Sequence, residues 1–186
     1  DPMDTGGHGP RVAGTVAAVG NNAVGVTGVM WNAQLMAVRV CNNGCSLSGI
    51  VNGLNYAIEN GATISNNSYG GDPTSAGPPP IYSDMMEAAR EAGHFFITSA
   101  GNSNNNNDEL NVYPANLMRD FDNVFSVGNS TPNDTRNPGS CYGSETVHLF
   151  APGTQTASTY LDDGYQYLSG TSMASPHVAG VAGLIL

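Results

Sequence analysis

Lysine is missing altogether from this 186-residue chain. Its five cations are all arginines, Arg11, Arg39, Arg90, Arg119 and Arg136, set against 15 acidic residues for a formal net charge of −10. So negative a balance repels phosphate backbones and anionic lipid, so neither nucleic acid nor a membrane is expected as a partner. No apolar run approaches the roughly 18–20 residues of a membrane-spanning helix. There is no secretory leader pattern and no glycine-rich phosphate loop, which removes a nucleotide-binding reading. The sequence opens on Asp1 and stops at Leu186 inside an apolar helical pattern, so we expect it to continue past both. Cysteine is scarce as well. Cys41, Cys45 and Cys141 match no zinc spacing. Either Cys41 and Cys45 close a small disulfide loop, or all three are unlinked thiols.

Charged residues make up only 11% and hydrophobic ones 40%, enough for the core of one α/β domain and short for two. Short apolar runs alternate with helical patterns, as in a parallel sheet flanked by helices. Residues 34–40, 62–66, 94–100 and 124–127 read as strands. Ser46 reads as the cap of a helix whose Leu47, Ile50, Val51, Leu54, Ala57 and Ile58 recur at helical spacing. Ser83 reads as the cap of a second helix ending near Gly93. Residues 172–186 are apolar on nearly every face, which predicts a helix buried in the middle of the domain. Two polar loops, 102–107 and 129–143, interrupt the alternation at strand ends, where α/β proteins place binding sites.

The run Gly170-Thr171-Ser172-Met173-Ala174-Ser175-Pro176-His177-Val178-Ala179-Gly180 sets a serine at the start of that apolar helix. There its hydroxyl meets free N–H groups and the positive end of the helix dipole, the surroundings a nucleophile needs when an oxyanion forms beside it. A serine in that place is otherwise a simple cap. This string resembles, residue for residue, the serine motif of the subtilisin-like serine proteases, the subtilase family. His8-Gly9-Pro10-Arg11-Val12-Ala13-Gly14-Thr15-Val16 resembles the histidine motif of the same family. It departs at Pro10 and Arg11, where the family has Thr and His. Arg11 either stands close to the base and disfavours its protonation, or turns to solvent. Phe95 to Asn102 is similar to the segment that carries the family's oxyanion asparagine.

The resemblance implies a three-layer α/β/α fold with a central, mostly parallel sheet, spanning residues 1–186 as part of a peptidase domain. It implies a serine endopeptidase in which Ser172 is the nucleophile, His8 the general base and Asn102 an oxyanion donor. The alternative is an inactive homologue that binds peptides in the same groove. Asn43, Gly44 and Cys45 fall where the family offers an edge strand to substrate. Ser68, Tyr69, Gly70 and Gly71 are similar to the segment lining the primary pocket, and Ser99, Ala100 and Gly101 join them as substrate-binding residues. Gly20-Asn21-Asn22-Ala23-Val24-Gly25-Val26 resembles a calcium loop, with Asn22 and the carbonyls of Gly20, Val24 and Val26 as ligands. A plain polar turn is the other reading of it. The resemblance further implies protein or peptide substrates, an N-terminal propeptide inhibitor, a monomer and an extracellular setting.

Family members run Asp, His, Ser along the chain. Asp4-Thr5-Gly6 imitates the acid's motif, but Asp4 lies only four residues before His8. Apart from Asp1 no other acidic residue precedes His8, so the acid is expected upstream of residue 1, and these residues alone are expected to make a poor enzyme. His94, His148 and His177 are read as structural. Asn66, Asn129 and Asn133 open glycosylation sequons that matter only in a eukaryotic secretory route.

Overall fold

The computed structural model describes residues 4–42 and 44–186. Four strands, β1 (Ile64–Asn67), β2 (Phe95–Ser99), β3 (Val124–Ser130) and β4 (Leu149–Pro152), form a parallel sheet in the order β1-β2-β3-β4. Alternation along β2 and β3 decides what each face receives. Phe96 and Val124 point to one side, where they meet Ile50 and Leu54 of α2 (Leu47–Glu59) and Tyr82, Met85 and Met86 of α3 (Pro80–Glu91). Ile97 and Val127 point to the other, against Ala174 and Ala179 of α4 (Thr171–Ile185), with Val16 of α1 (His8–Ala17) packed alongside. Two helix layers thus enclose one sheet, as the three-layer α/β/α reading expects. Fully buried side chains such as Phe96, Met86 and Leu117 contribute about 1.5–3 kcal/mol each.

Ser46 caps α2 as its sequence predicts, accepting from the Gly49 amide at 3.1 Å. α3 begins earlier than the Ser83 reading, because Pro80 occupies the first turn, where a missing N–H costs nothing. Residues 34–40 do not form the expected buried strand. Only Val38 and Val40 turn inward, both against Gly53 of α2, while Leu35 and Met36 face solvent. A strand needs a neighbouring backbone, and none of the described strands pairs with this segment. α4 is buried through its first half only; Val181, Leu184 and Ile185 are exposed, which corrects the expectation of burial throughout. An antiparallel hairpin, β5 (Thr156–Thr159) and β6 (Tyr165–Leu168), packs through β5 on α1 and leads directly into α4. Periodicity did not mark it, since β6 is exposed along its whole length and shows no apolar alternation.

Candidate active site

The serine half of the site is built by a proline and a glycine. Pro176 lies inside α4 and has no N–H to give the carbonyl four residues back, which is that of Ser172. That freed carbonyl accepts instead from Ser68 Oγ at 3.0 Å, and Ser172 Oγ lies 3.3 Å from the Ser68 carbonyl as its donor. Ser68 Oγ is also 2.7 Å from Ser175 Oγ and accepts from Asn66 Nδ2 at 2.9 Å. Ser175 Oγ in turn donates to Asn66 Oδ1 at 2.9 Å. The end of β1 is thereby tied to the first two turns of α4, and Ser172 stays half-buried between them.

Gly170 precedes α4 and has no side chain to cap it. Asn102 does so from another segment, its Oδ1 accepting from Thr171 N at 2.8 Å and from Thr171 Oγ1 at 3.1 Å. With Oδ1 turned to those donors, Nδ2 faces away and has no hydrogen-bond partner among the described residues. The backbone of Gly170, at φ 157° and ψ 164°, is in a region that glycine alone adopts readily. A Cβ there would lie 3.5 Å from Asn102 Oδ1, 3.7 Å from Asn102 Nδ2 and 3.8 Å from Ser172 N, so the Asn102 amide and the Ser172 N–H both approach the space beside Gly170.

His8 is the first residue of α1, which packs against α4. Its imidazole is exposed and makes no hydrogen bond among the described residues. Loss of water around the ring lowers its pKa; nearby Asp4 opposes that shift and Arg11 adds to it. Asp4 is otherwise engaged: Oδ1 accepts from Gly6 N at 2.7 Å and Oδ2 from Gly9 N at 2.8 Å, which caps α1. Partial burial works to raise the Asp4 pKa, but these bonds together with His8 and Arg39 hold the carboxyl below the usual range. Of the two directions left open by the sequence, Arg11 does not take solvent; its charge adds to the lowering of the His8 pKa. It turns inward and is 2% exposed.

The other histidines are bound up in the fold. His94 is buried, with Nδ1 2.8 Å from the Ala62 carbonyl and Nε2 2.8 Å from Ser65 Oγ. His148 stacks on Phe125 with ring centroids 4.1 Å apart, and its Nδ1 accepts from Ser126 N. His177 Nδ1 is 2.9 Å from the Met173 carbonyl in its own helix.

Of the residues assigned to substrate, Ser68 bonds to Ser172, and Gly101, next to Asn102, donates to Thr171 Oγ1 at 3.3 Å, while Gly70 and Gly71 lie against Tyr113. Gly71 N donates to the Tyr113 carbonyl at 3.0 Å, so the glycine pair runs close against that backbone. Tyr69 packs inward, its hydroxyl donating to Asn67 Oδ1 at 2.9 Å, and burial pushes its phenol pKa up, helped by Tyr82. Ser99 and Ala100 are buried at the end of β2, and the Ala100 amide and carbonyl are taken by the Val127 carbonyl and Asn107 Nδ2. Cys41 and Cys45 are joined in a disulfide, while Cys141 is a buried free thiol. Among the described residues, Gly44 and Cys45 make no hydrogen bond to the Ser172 cluster. Asn43 and Asp1 lie outside the described residues. The sequence reading missed Thr171 and Ser175 as braces, because a small polar residue in a helix carries no mark of its distant partner.

In the loop over residues 20–26, the Asn22 side chain accepts from Val24 N at 3.0 Å. The carbonyls of Gly20, Val24 and Val26 accept no hydrogen bond among the described residues. Asn21, Ala23 and Gly25 all have positive φ, 56°, 58° and 58°. For an alanine that conformation is strained.

The whole sequence, residues 1–186, matches the model of the subtilase family (peptidase S8). Thermitase of Thermoactinomyces vulgaris is 38% identical over 186 residues, 99% of this chain and 62% of the relative. Subtilisin DY of Bacillus licheniformis is 40% identical over 185 residues, 98% of this chain and 64% of the relative. A solved structure described as a cold adapted subtilisin-like serine proteinase superposes with a TM-score of 0.80 at 37% identity, over 97% of this chain and 61% of its own. The chain thus spans a little over three fifths of these relatives. With its parallel sheet, its serine at the start of α4 and its match over every residue, the chain belongs to the subtilase family.

Proposed function

We propose that this chain carries the nucleophile and base of a serine endopeptidase that cleaves proteins or peptides through an acyl-enzyme. Ser172 attacks the scissile carbonyl, and His8 takes its proton and returns it to the leaving amine. Asn102 Nδ2 and the Ser172 N–H hold the oxyanion. The reading is carried by one observation, the approach of the Asn102 amide and the Ser172 N–H to the same space beside Gly170. A depressed His8 pKa supports it too, since a base must be neutral to accept the proton at working pH. No described carboxylate accepts from His8, and the reading assigns its orienting acid to none of them. Substrate backbone runs beside Ser68, Gly70, Gly71 and Gly101, with Gly44 and Cys45 as the outer edge. An N-terminal propeptide would occupy the same groove, and the working unit is a monomer. The Cys41–Cys45 disulfide supports an extracellular setting.

Calcium belongs to the same reading. It takes about six to eight oxygens, and Asn22 with the carbonyls of Gly20, Val24 and Val26 would provide four, its role being to hold a strained loop. Chelation should lower the thermal midpoint by about 2–4 °C; an unmoved midpoint would remove calcium from the account.

The test is fluorophosphonate labelling of the natural protein, freed of any propeptide, with Ser172→Ala as control and peptide mapping. Labelling at Ser172, with hydrolysis roughly 10⁶-fold lower in the variant, is the expected result. A folded protein that takes no label is instead a homologue that binds peptides without cutting them.

A further inference from the structure

Arg11 is one of the two residues at which this chain departs from the histidine motif it resembles, and it is placed unlike a surface cation. Its guanidinium is buried, donates through Nη2 to Gln166 Oε1 of β6, and lies 4.9 Å over the Tyr160 ring. Nε is buried without a partner. No carboxylate among the described residues pairs with the charge, an expensive arrangement to retain without a use.

Its two partners lead to the two halves of the site. The Tyr160 ring lies against Gly7, where a Cβ would fall 2.1 Å from Tyr160 Cε2, and its hydroxyl is 3.5 Å from the Gly6 carbonyl it faces. Gly7 immediately precedes His8. Gln166 stands in the strand that runs on through Gly170 to Ser172. Hydroxyls of β5 complete the joint: Ser158 Oγ donates to the Arg11 carbonyl and Thr159 Oγ1 to the Pro10 carbonyl, both at 2.7 Å.

We propose that Arg11 is a positioning residue for His8, its buried guanidinium locking the first turn of α1 to the hairpin that delivers Ser172. This rests on the protease reading. The charged and titratable groups that reach His8 are Asp4 before the helix and Arg11 on it, with Tyr160 against the adjoining Gly7; β5 itself carries none. Removing the Arg11 charge therefore also removes one of the influences that keep His8 neutral.

The experiment compares Arg11→Met, which keeps the apolar stem, with Arg11→Lys, which keeps the charge, in the natural protein. In Arg11→Met, kcat should fall about tenfold with KM within about twofold, and the acidic limb of kcat/KM should move to higher pH. Arg11→Lys should return the limb toward its original position. The His8 titration followed by NMR should move the same way, and that readout needs no turnover. An unmoved limb and an unmoved titration overturn the proposal, as does a fall in stability that accounts for all the lost activity. Should Arg11→Met fail to fold, Gln166→Leu removes the anchor and keeps the charge: kcat should drop with the limb in place, and an unchanged kcat overturns the idea. A wild-type protein that never hydrolyses or labels, but whose His8 titration responds to Arg11→Met, overturns the protease reading and not the coupling.

Discussion

The serine half and the histidine half of this site are fastened by different chemistry. Around Ser172 every fastening is a short neutral hydrogen bond: Ser68 to the Ser172 carbonyl, Ser175 to Asn66, Asn102 to Thr171. The first and third answer backbone groups that Pro176 and Gly170 leave without a partner, and the second joins two side chains beside them. Around His8 the fastening is a buried cation, an aromatic face and the hydroxyls of a hairpin, with Asp4 as an external cap. The first half matches its family's string residue for residue; the second departs from it at two consecutive positions. Neutral hydrogen bonds satisfied on both sides leave little room for substitution, because losing one partner strands the other in the interior. A clamp of packing and charge can be rebuilt from other side chains so long as the helix still docks.

That contrast can be pressed first at Asn102. Asn102→Asp keeps the acceptor for Thr171 and removes the Nδ2 donor, so kcat should fall by ~10²–10³ while the thermal midpoint holds. Equal losses in both would mean that Asn102 only caps α4. On the histidine side, Gly14→Ala puts a Cβ 2.1 Å from Thr159 Oγ1 and 2.8 Å from Ser158 Oγ. Chemical denaturation should register a loss of about 1–3 kcal/mol, and a neutral result would show that the α1–β5 joint is looser than drawn. Ser175→Ala breaks the bridge between Ser68 and Asn66 and should cost about 1–2 kcal/mol. No loss at Ser175 would mean that this bridge does not hold the serine half.

The pH dependence of stability is the mildest test. All four histidines, His8, His94, His148 and His177, have folded pKa values below the ordinary 6.5, and burial is the largest cause in each. The folded state then binds fewer protons than the unfolded state between those depressed values and 6.5. Their contribution is complete above about pH 7 and is lost as pH falls through 6.5 toward the folded values. His94→Gln should flatten part of that fall in a denaturation series; a curve unchanged from wild type would mean that His94 does not contribute.

Much of the layout was legible beforehand. Short apolar runs between helical patterns located β1, β2 and β3, Ser46 announced α2, and the string from Gly170 to Gly180 announced α4. Residues 34–40 misled because branched residues mark a willingness to be a strand, and only a neighbouring backbone makes one. The start of α3 was misread because Ser83 is a good cap, while Pro80 is a better first residue. β6 was invisible, because a strand exposed on both faces has no alternation to detect.

By itself the sequence determined the family and most of the sheet-and-helix order, and it singled out Ser172, His8 and Asn102 as the candidates for chemistry. Those rest on local pattern and on strings whose spacing survives folding unchanged. Only the tertiary structure decided that Asn102 caps α4, that Asp4 caps α1, and that Arg11 turns inward to a strand 155 residues away. A long polar side chain has several low-energy directions, and which one it takes is set by partners that the fold brings to it.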